Sequence, residues 1–461
     1  MRPLSKASTL LLMNLVILCV AVTFIPMAAS AAGPTPENSR QAQTASGTED
    51  LKNPDPKIRI KTARELGQTG SPSVVPALAA ALSDPNPKVR REVVIALASI
   101  RVSQSLDALI GATTDSDEEV RWLAIKGIEG YYTGQTPKSS AGFMGFMGKQ
   151  YRSVKRQFIQ NTLEVPPGTA VDIRAIAALD RAMMDNRYPK AQLEATRALG
   201  VLRARPAVTD LVATAHSQDS DLARQALNSL AAIQDTAAGP KLVDLLDSPS
   251  RKVRQDAAVT VGILRTRSAV PKLQWMYANS SKKETREKAL EGLAYVGDPA
   301  SGPVFLKALS SPDNPIQISA AEGLARSKYQ PALPELLRAA PAEKKTAVRL
   351  AMEFAITALG RNDYLSSLVN DLASNTDIAQ AYLTELARDP VFLSKLYPYM
   401  DSRTADVRRG LCNVLLYSGD STSIQPLETA SHDSNGSVAS AALRALAAVR
   451  HRASAPPPSG Q

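Results

Sequence analysis

Few residues in this 461-residue sequence are of the types that carry covalent or metal chemistry, and their spacing scatters them. The histidines are His216, His432 and His451, far apart along the chain, and the cysteines are Cys19 and Cys412. A Cys/His zinc site needs several such side chains converging on one ion, which this inventory does not supply. Cys412 sits in the apolar run Gly410–Leu416 with no base beside it, so it reads as a small hydrophobe rather than a nucleophile. There is no Gly-x-x-x-x-Gly-Lys-Ser/Thr phosphate loop and no Gly-x-Ser-x-Gly elbow. Asp117-Glu118-Glu119 fits a helix start, where carboxylates meet the positive end of the dipole, better than an acid/base pair. Catalysis, a cofactor and a metal are therefore not expected.

Contact chemistry is better represented. In Gly142–Gly148, Phe143, Met144, Phe146 and Met147 stand in pairs between glycines. A basic stretch with Lys149, Arg152, Lys155 and Arg156 follows, in which Tyr151, Val154 and Phe158 share one face at helical spacing. Two readings are open. The apolar hook folds back over a groove or repeat interface, or it enters a membrane surface or a partner's pocket while the cations meet phosphates.

The elements that would hold these residues repeat. Ile58-Arg59, Val89-Arg90 and Val120-Arg121 are 31 residues apart, each with an apolar residue seven places after its Arg: Leu66, Leu97 and Ile128. The register resumes with Leu199, Leu230, Val261, Leu293, Leu324, Ile356, Leu386, Leu415 and Leu446. The jump of 71 between Ile128 and Leu199 equals one repeat plus an insertion of about 40 residues, placed between the two helices of the third repeat. Ala124, Ala195, Ala226, Ala257, Ala289, Ala320 and Ala442 lie four residues before the marker, on the same helix face, where a small side chain admits a neighbouring helix. Pro76, Pro240, Pro271, Pro303 and Pro334, ten residues after it, suit the first turn of a second helix. Gly67, Gly200 and Gly297 suit left-handed caps, and Asn53, Asp84, Asp115 and Ser248 suit N-caps. Gln192, Ala223, Gln317, Ala379 and Ala439 replace the Arg in other repeats.

The run from Asp84 to Leu97, Asp-Pro-Asn-Pro-Lys-Val-Arg-Arg-Glu-Val-Val-Ile-Ala-Leu, resembles a HEAT repeat of the short, phycobilisome-lyase-like kind, as does Ser248–Val261. The resemblance implies an all-α, right-handed α-α superhelix, an armadillo-like solenoid of about twelve helix pairs. Its expected binding surface is a concave face lined by the second helices. The same family also contains nucleic-acid readers and lyases, so its name alone does not assign a function.

The flanks complete the plan. Arg2 and Lys6, an apolar stretch from Leu10 to Ile25 and the small residues Ala28–Ala32 have the order of a secretory signal peptide, residues 1–31. A flexible linker 32–50, repeats 51–129, the insertion 130–170, repeats 171–450 and a Pro-rich tail 451–461 follow. The chain is expected in the periplasm or envelope of a bacterium, with secretion or an uncleaved inner-membrane anchor as alternatives. The expected role is a non-catalytic, protein-binding scaffold. The net charge of +10 keeps open an anionic polymer, a cell-wall glycan or nucleic acid, or an anionic membrane surface. Export counts against nucleic acid. A lyase-like enzyme is the remaining alternative.

Overall fold

A computed structural model of the chain describes residues 48–134, 165, 169–374 and 376–454. Two units separate by contacts, Met1–Ser46 and Gly47–Gln461, and all described residues belong to the second. No strand occurs among them. Each repeat pairs a long helix with a shorter α or 3-10 helix. The long helices are α1 (Pro56–Thr69), α2 (Pro87–Ile100), α3 (Glu118–Thr133), α4 (Pro189–Val201), α5 (Ser220–Ile233) and α6 (Arg251–Ile263). They continue with α7 (Lys283–Val296), α8 (Asn314–Arg326), α9 (Thr346–Ala358), α10 (Thr376–Leu386), α11 (Ala405–Ser418) and α12 (Gly436–Ser454). Each packs on the next, α3 directly on α4, so the long helices form one row and the short helices a second.

All twelve marker residues are buried, from Leu66 to Leu446, and the alanines four places earlier are fully so. One pair of short helices cannot bury its apolar stripe alone; the neighbouring pairs do it, which is why the core is continuous along the stack. Cys412 belongs to this core, and burial pushes its thiol up to about 12, with the nearby Asp433 charge adding to the shift.

The Arg column joins successive repeats. Arg59 donates to Asp84 at 2.6 and 2.8 Å, and Arg90 to Asp115 at 2.8 and 2.7 Å, each across 25 residues. Arg408 repeats the arrangement with Asp433 at 2.6 and 2.9 Å. Arg121 reaches Asp185 at 3.2 Å across 64 residues, so the same rung spans the insertion. Each of these arginines also donates to the carbonyl six residues before it, as Arg90 does to Asp84 at 2.9 Å. Where Gln stands in the column, its amide performs a similar service: Gln192 donates to the Met183 carbonyl at 2.8 Å and Gln317 to that of Leu309 at 3.3 Å.

Several expectations about the turns need correcting. The N-caps are Asp55, Asn86 and Asp117, two residues after Asn53, Asp84 and Asp115. The earlier residues accept the N–H two places on, closing a small turn, which leaves Asp84 and Asp115 an oxygen for the arginine. Ser248 does the same before the N-cap Ser250. Gly297 caps α7 at φ 66°, as expected, but Gly67 and Gly200 are helical. Their missing side chains let backbones meet: a Cβ on Gly67 would lie 2.7 Å from Ala96 Cα, and one on Gly200 2.7 Å from Ser229 Cα. Pro76, Pro271, Pro303 and Pro334 open short helices, whereas Pro240 lies inside the 3-10 helix Thr236–Asp247, whose first turn begins at Thr236.

The borders also shift. Helical structure begins at Thr48, and residues 130–133 continue α3, where Tyr132 is buried and its hydroxyl accepts the Asp172 N–H at 3.0 Å. Beyond the insertion, the short helix Ile173–Met184 completes the third repeat. At the other end α12 runs to Ser454, past the expected boundary at 450, because Arg452 ties it to the carbonyls of Leu415, Leu416 and Gly419.

Candidate protein-contact site

On α5–α7, several residues beside the markers lie away from the continuous core. In most solenoid positions such residues need only be soluble. In α5–α8 they build something more. Ala231, Val259, Ile263 and Tyr295 form a second apolar cluster, separate from the core and contributed by three successive helices. Ala231 and Val259 are buried beneath, while Ile263 and Tyr295 remain half-exposed. The i, i+4 spacing of Val259 with Ile263, and of Glu291 with Tyr295, places each pair on one helix face.

Charges border the cluster. The Arg326 guanidinium lies over the Tyr295 ring at 4.5 Å, a cation–π contact. Arg326 then donates to both carboxylate oxygens of Glu385 at 2.7 and 2.9 Å, and Tyr382 donates its hydroxyl hydrogen to Glu322 at 2.8 Å. Both links run from α8 to α10, passing over α9, which contributes Phe354 stacked on Tyr382 at 4.6 Å. Side chains two repeats apart can meet only across the row towards which a stack bends. In this stretch the inward surface is therefore made by the long helices, which corrects the expectation that second helices line it.

Burial pushes the Tyr295 hydroxyl well above its ordinary range, Arg326 opposes this, and the Glu322, Glu291 and Glu385 charges add to the rise. Burial also raises the Asp256 carboxyl, against the pull of Arg224, and the Glu287 carboxyl, against Lys283. Burial is what makes those two charges costly, whereas Arg326 holds the Glu385 carboxyl below its usual range against burial.

A second charged cluster lies between α3 and α4. Trp122 donates its indole N–H to Glu194 at 3.3 Å, Lys126 pairs with Glu194 at 3.3 Å, and Arg197 bridges Glu194 and Glu129. Burial works against the Arg197 charge, but Glu194 and Glu129 outweigh it and hold its pKa above the usual value. Here opposite charges are matched in full pairs, the pattern of a joint.

The residues singled out for contact in the sequence, Phe143, Met144, Phe146, Met147, Lys149, Arg152, Lys155 and Arg156, lie outside the described residues. At the ends of that segment, Leu106, Tyr131, Tyr132, Val171 and Arg174 help line a cavity of about 330 Å³. The cluster around Tyr295 was not anticipated. Its signal is faint, because other repeats also place charged or aromatic residues in these columns, Arg64, Arg197, Phe354 and Tyr417 among them. His216 pairs with Asp244 at 3.1 Å on the short-helix row, and no group of metal-ligating side chains converges among the described residues.

Pairs of helices stacked on a near-constant step, with a core shared between neighbours, define an α-solenoid. The HEAT repeats family matches residues 48–129, 176–262 and 267–361, more than half of the chain, and the protein belongs to that family. No curated protein sequence matches it. Among solved structures, the chain is similar to an engineered protein (18% identity, 88% of this chain and 98% of that one, TM-score 0.34). It is also similar to the karyopherin Kap121p bound to the extreme C-terminus of the phosphatase Cdc14p (14%, 90% and 50%, TM-score 0.40) and to importin beta (12%, 90% and 65%, TM-score 0.42). The chain spans about half the length of the karyopherin it matches. Human deoxyhypusine hydroxylase is similar over 65% of this chain, at 15% identity and TM-score 0.26.

Proposed function

We propose that the protein is a non-catalytic scaffold that binds another protein along its long-helix row. The observation that carries this reading is the apolar cluster of Ala231, Val259, Ile263 and Tyr295, which lies outside the continuous core and is framed by charges held in fixed positions. An interface centre wants apolar and aromatic area with a polar rim, and this patch has both. Arg326 and Tyr382 are already held by hydrogen bonds before a partner arrives, which lowers the cost of ordering those side chains on binding.

The order of residues 1–31 supports export, and the place of action we assign is the bacterial envelope. The insertion supplies a second contact in this reading, through Phe143, Met144, Phe146 and Met147 with the cations that follow them.

Residues 1–31 fused to a reporter active only after export should give activity; an inactive fusion removes the envelope assignment. Deleting 135–165 should reduce binding to anionic liposomes or to a captured protein, and unchanged binding by a folded deletion removes the second contact. For the scaffold itself, the mature chain carrying Ile263→Asp should lose a stoichiometric partner that the parent captures from native envelope extract. An unchanged set of partners, with the parent's circular dichroism and Tm, overturns the long-helix row as the binding surface.

A further inference from the structure

The two edges of the stack differ in charge. Where the long helices begin, carboxylates cap them, Asp55, Asp117 and Asp219 among them. Where they end, the chain turns into the short helices, and these turns hold Arg101, Arg203, Arg205, Arg265, Arg267 and Lys328, all exposed. Arg101, Arg203, Arg265 and Lys328 are left-handed, with φ of 51–53°, at a place that other long helices fill with Gly70, Gly297 or Gly360. That conformation is disfavoured for any residue with a side chain, so the cation is kept against a conformational cost. A helix C-terminus attracts positive charge, which accounts for these four. It does not account for Arg205 and Arg267. They open the 3-10 helices Arg205–Ala207 and Arg267–Ala269, where the dipole opposes a cation.

Little offsets this charge. Among the described residues no carboxylate pairs with Arg101, Arg205, Arg265 or Arg267. The acids of the same edge are engaged locally: Asp235 and Asp298 accept the N–H two residues on, and Asp363 holds Arg361 at 2.9 Å. Neighbouring turns touch, which makes the row continuous. Lys328 donates to the Ala358 carbonyl at 2.9 Å, Gln330 to that of Leu359 at 3.2 Å, and a Cβ on Gly239 would overlap the Thr266 hydroxyl. A row of helix ends is a ridge, which suits a flat surface better than it encloses a strand. The insertion is attached at this edge as well. The chain leaves α3 at Gly134, close to the Arg101 guanidinium, and re-enters the stack where Asp172 caps the short helix Ile173–Met184. The apolar and basic run from Phe143 to Arg156 is thus tethered beside the cationic turns.

We propose that this edge docks on an anionic phospholipid surface, with the turns after α2, α4, α6 and α8 against the headgroup phosphates. Clustered arginines and lysines are drawn to anionic leaflets, and apolar side chains tethered beside them enter the boundary with the acyl chains. The ridge is separate from the patch around Tyr295 and does not rest on it. One scaffold can then hold a protein on its long-helix row while its edge lies on a membrane.

Vesicle sedimentation with the mature chain tests this, using equimolar phosphatidylcholine and phosphatidylglycerol against phosphatidylcholine alone. Binding to the mixed vesicles should be about ten-fold tighter than to the neutral ones. Arg265→Gln with Arg267→Gln should weaken it by about ten-fold. Gln234 already holds the left-handed conformation at φ 59°, so that backbone accepts glutamine. Arg251→Gln with Lys252→Gln removes the same charge from the other end of α6 and should change binding by less than about two-fold. Equal losses from the two pairs, no loss from the first, or equal binding to neutral vesicles overturns the proposal. A DNA duplex that binds through Arg265 and Arg267 while vesicles do not bind would give the ridge to nucleic acid and overturn the lipid assignment. Ile263→Asp should leave vesicle binding as in the parent. Its loss there would move the membrane contact to the long-helix row and overturn the ridge.

Discussion

The joints of α1–α3 and the inward surface of α7–α10 use the same residue types for opposite ends. At the joints, Arg59 and Arg90 are each closed on an aspartate of the next repeat and on a carbonyl of their own, within one step of the stack. On the inward surface, Arg326 and Tyr382 tie repeats that are not neighbours, and Glu291 keeps an oxygen unused. The first pattern sets the pitch between neighbours. The second exceeds what the pitch needs, and that excess distinguishes a surface built for contact from one built for stacking.

Substitutions should separate the two uses. Gly292→Leu should have the largest effect, because a side chain there would overlap the Ala258 carbonyl and pry α7 from α6; a loss of about 4 kcal/mol or more is expected by denaturant unfolding. A stability equal to that of the parent would show that the stack yields easily at that joint. Arg326→Ala leaves the buried Glu322 and the partly exposed Glu385 without their cation and should cost about 3 kcal/mol. Arg90→Ala breaks one partly buried pair and should cost about 2 kcal/mol. Only Arg326→Ala should alter ligand binding, so a binding defect of similar size in Arg90→Ala would erase the distinction drawn above.

Asp180 gives a pH test on the short-helix row. Burial and a hydrogen bond with Asp210 raise its carboxyl to about 6, and its Oδ1 has no partner. The unfolded carboxyl ionises near pH 4. The neutral form favours the fold, so stability should fall between about pH 4 and pH 6 and stay level above that. Asp180→Asn should raise Tm by about 2 °C at pH 7.5 and leave it unchanged at pH 3.5. The same rise at both pH values would show that ionisation is not involved. Lys61→Ala, in an exposed pair with Glu65, should change stability by less than about 0.5 kcal/mol and mark the floor of the scale.

Much of the stack was legible in the sequence, because burial against a neighbour demands the same residue at the same place each time. The marker from Leu66 to Leu446 and the alanines before it are such places. Gly67 was misread because a helix-to-helix approach and a left-handed cap ask for the same residue, and only the neighbour's position tells them apart. The surface around Tyr295 was not legible for a different reason. Its column changes from Asn228 to Val259 to Glu291 to Glu322, so no period announces it. Arg326 also meets Glu385 two repeats on, across 59 residues, past the adjacent repeat with which its column would be paired.

The most direct test places a photo-crosslinking amino acid at Ile263 on the long-helix row, and in a second variant at Trp275, the exposed aromatic of the short-helix row. After irradiation of cells producing each variant, a discrete adduct is expected from position 263 and none from 275. An adduct from 275 alone would contradict it, and would move the binding surface to the opposite row.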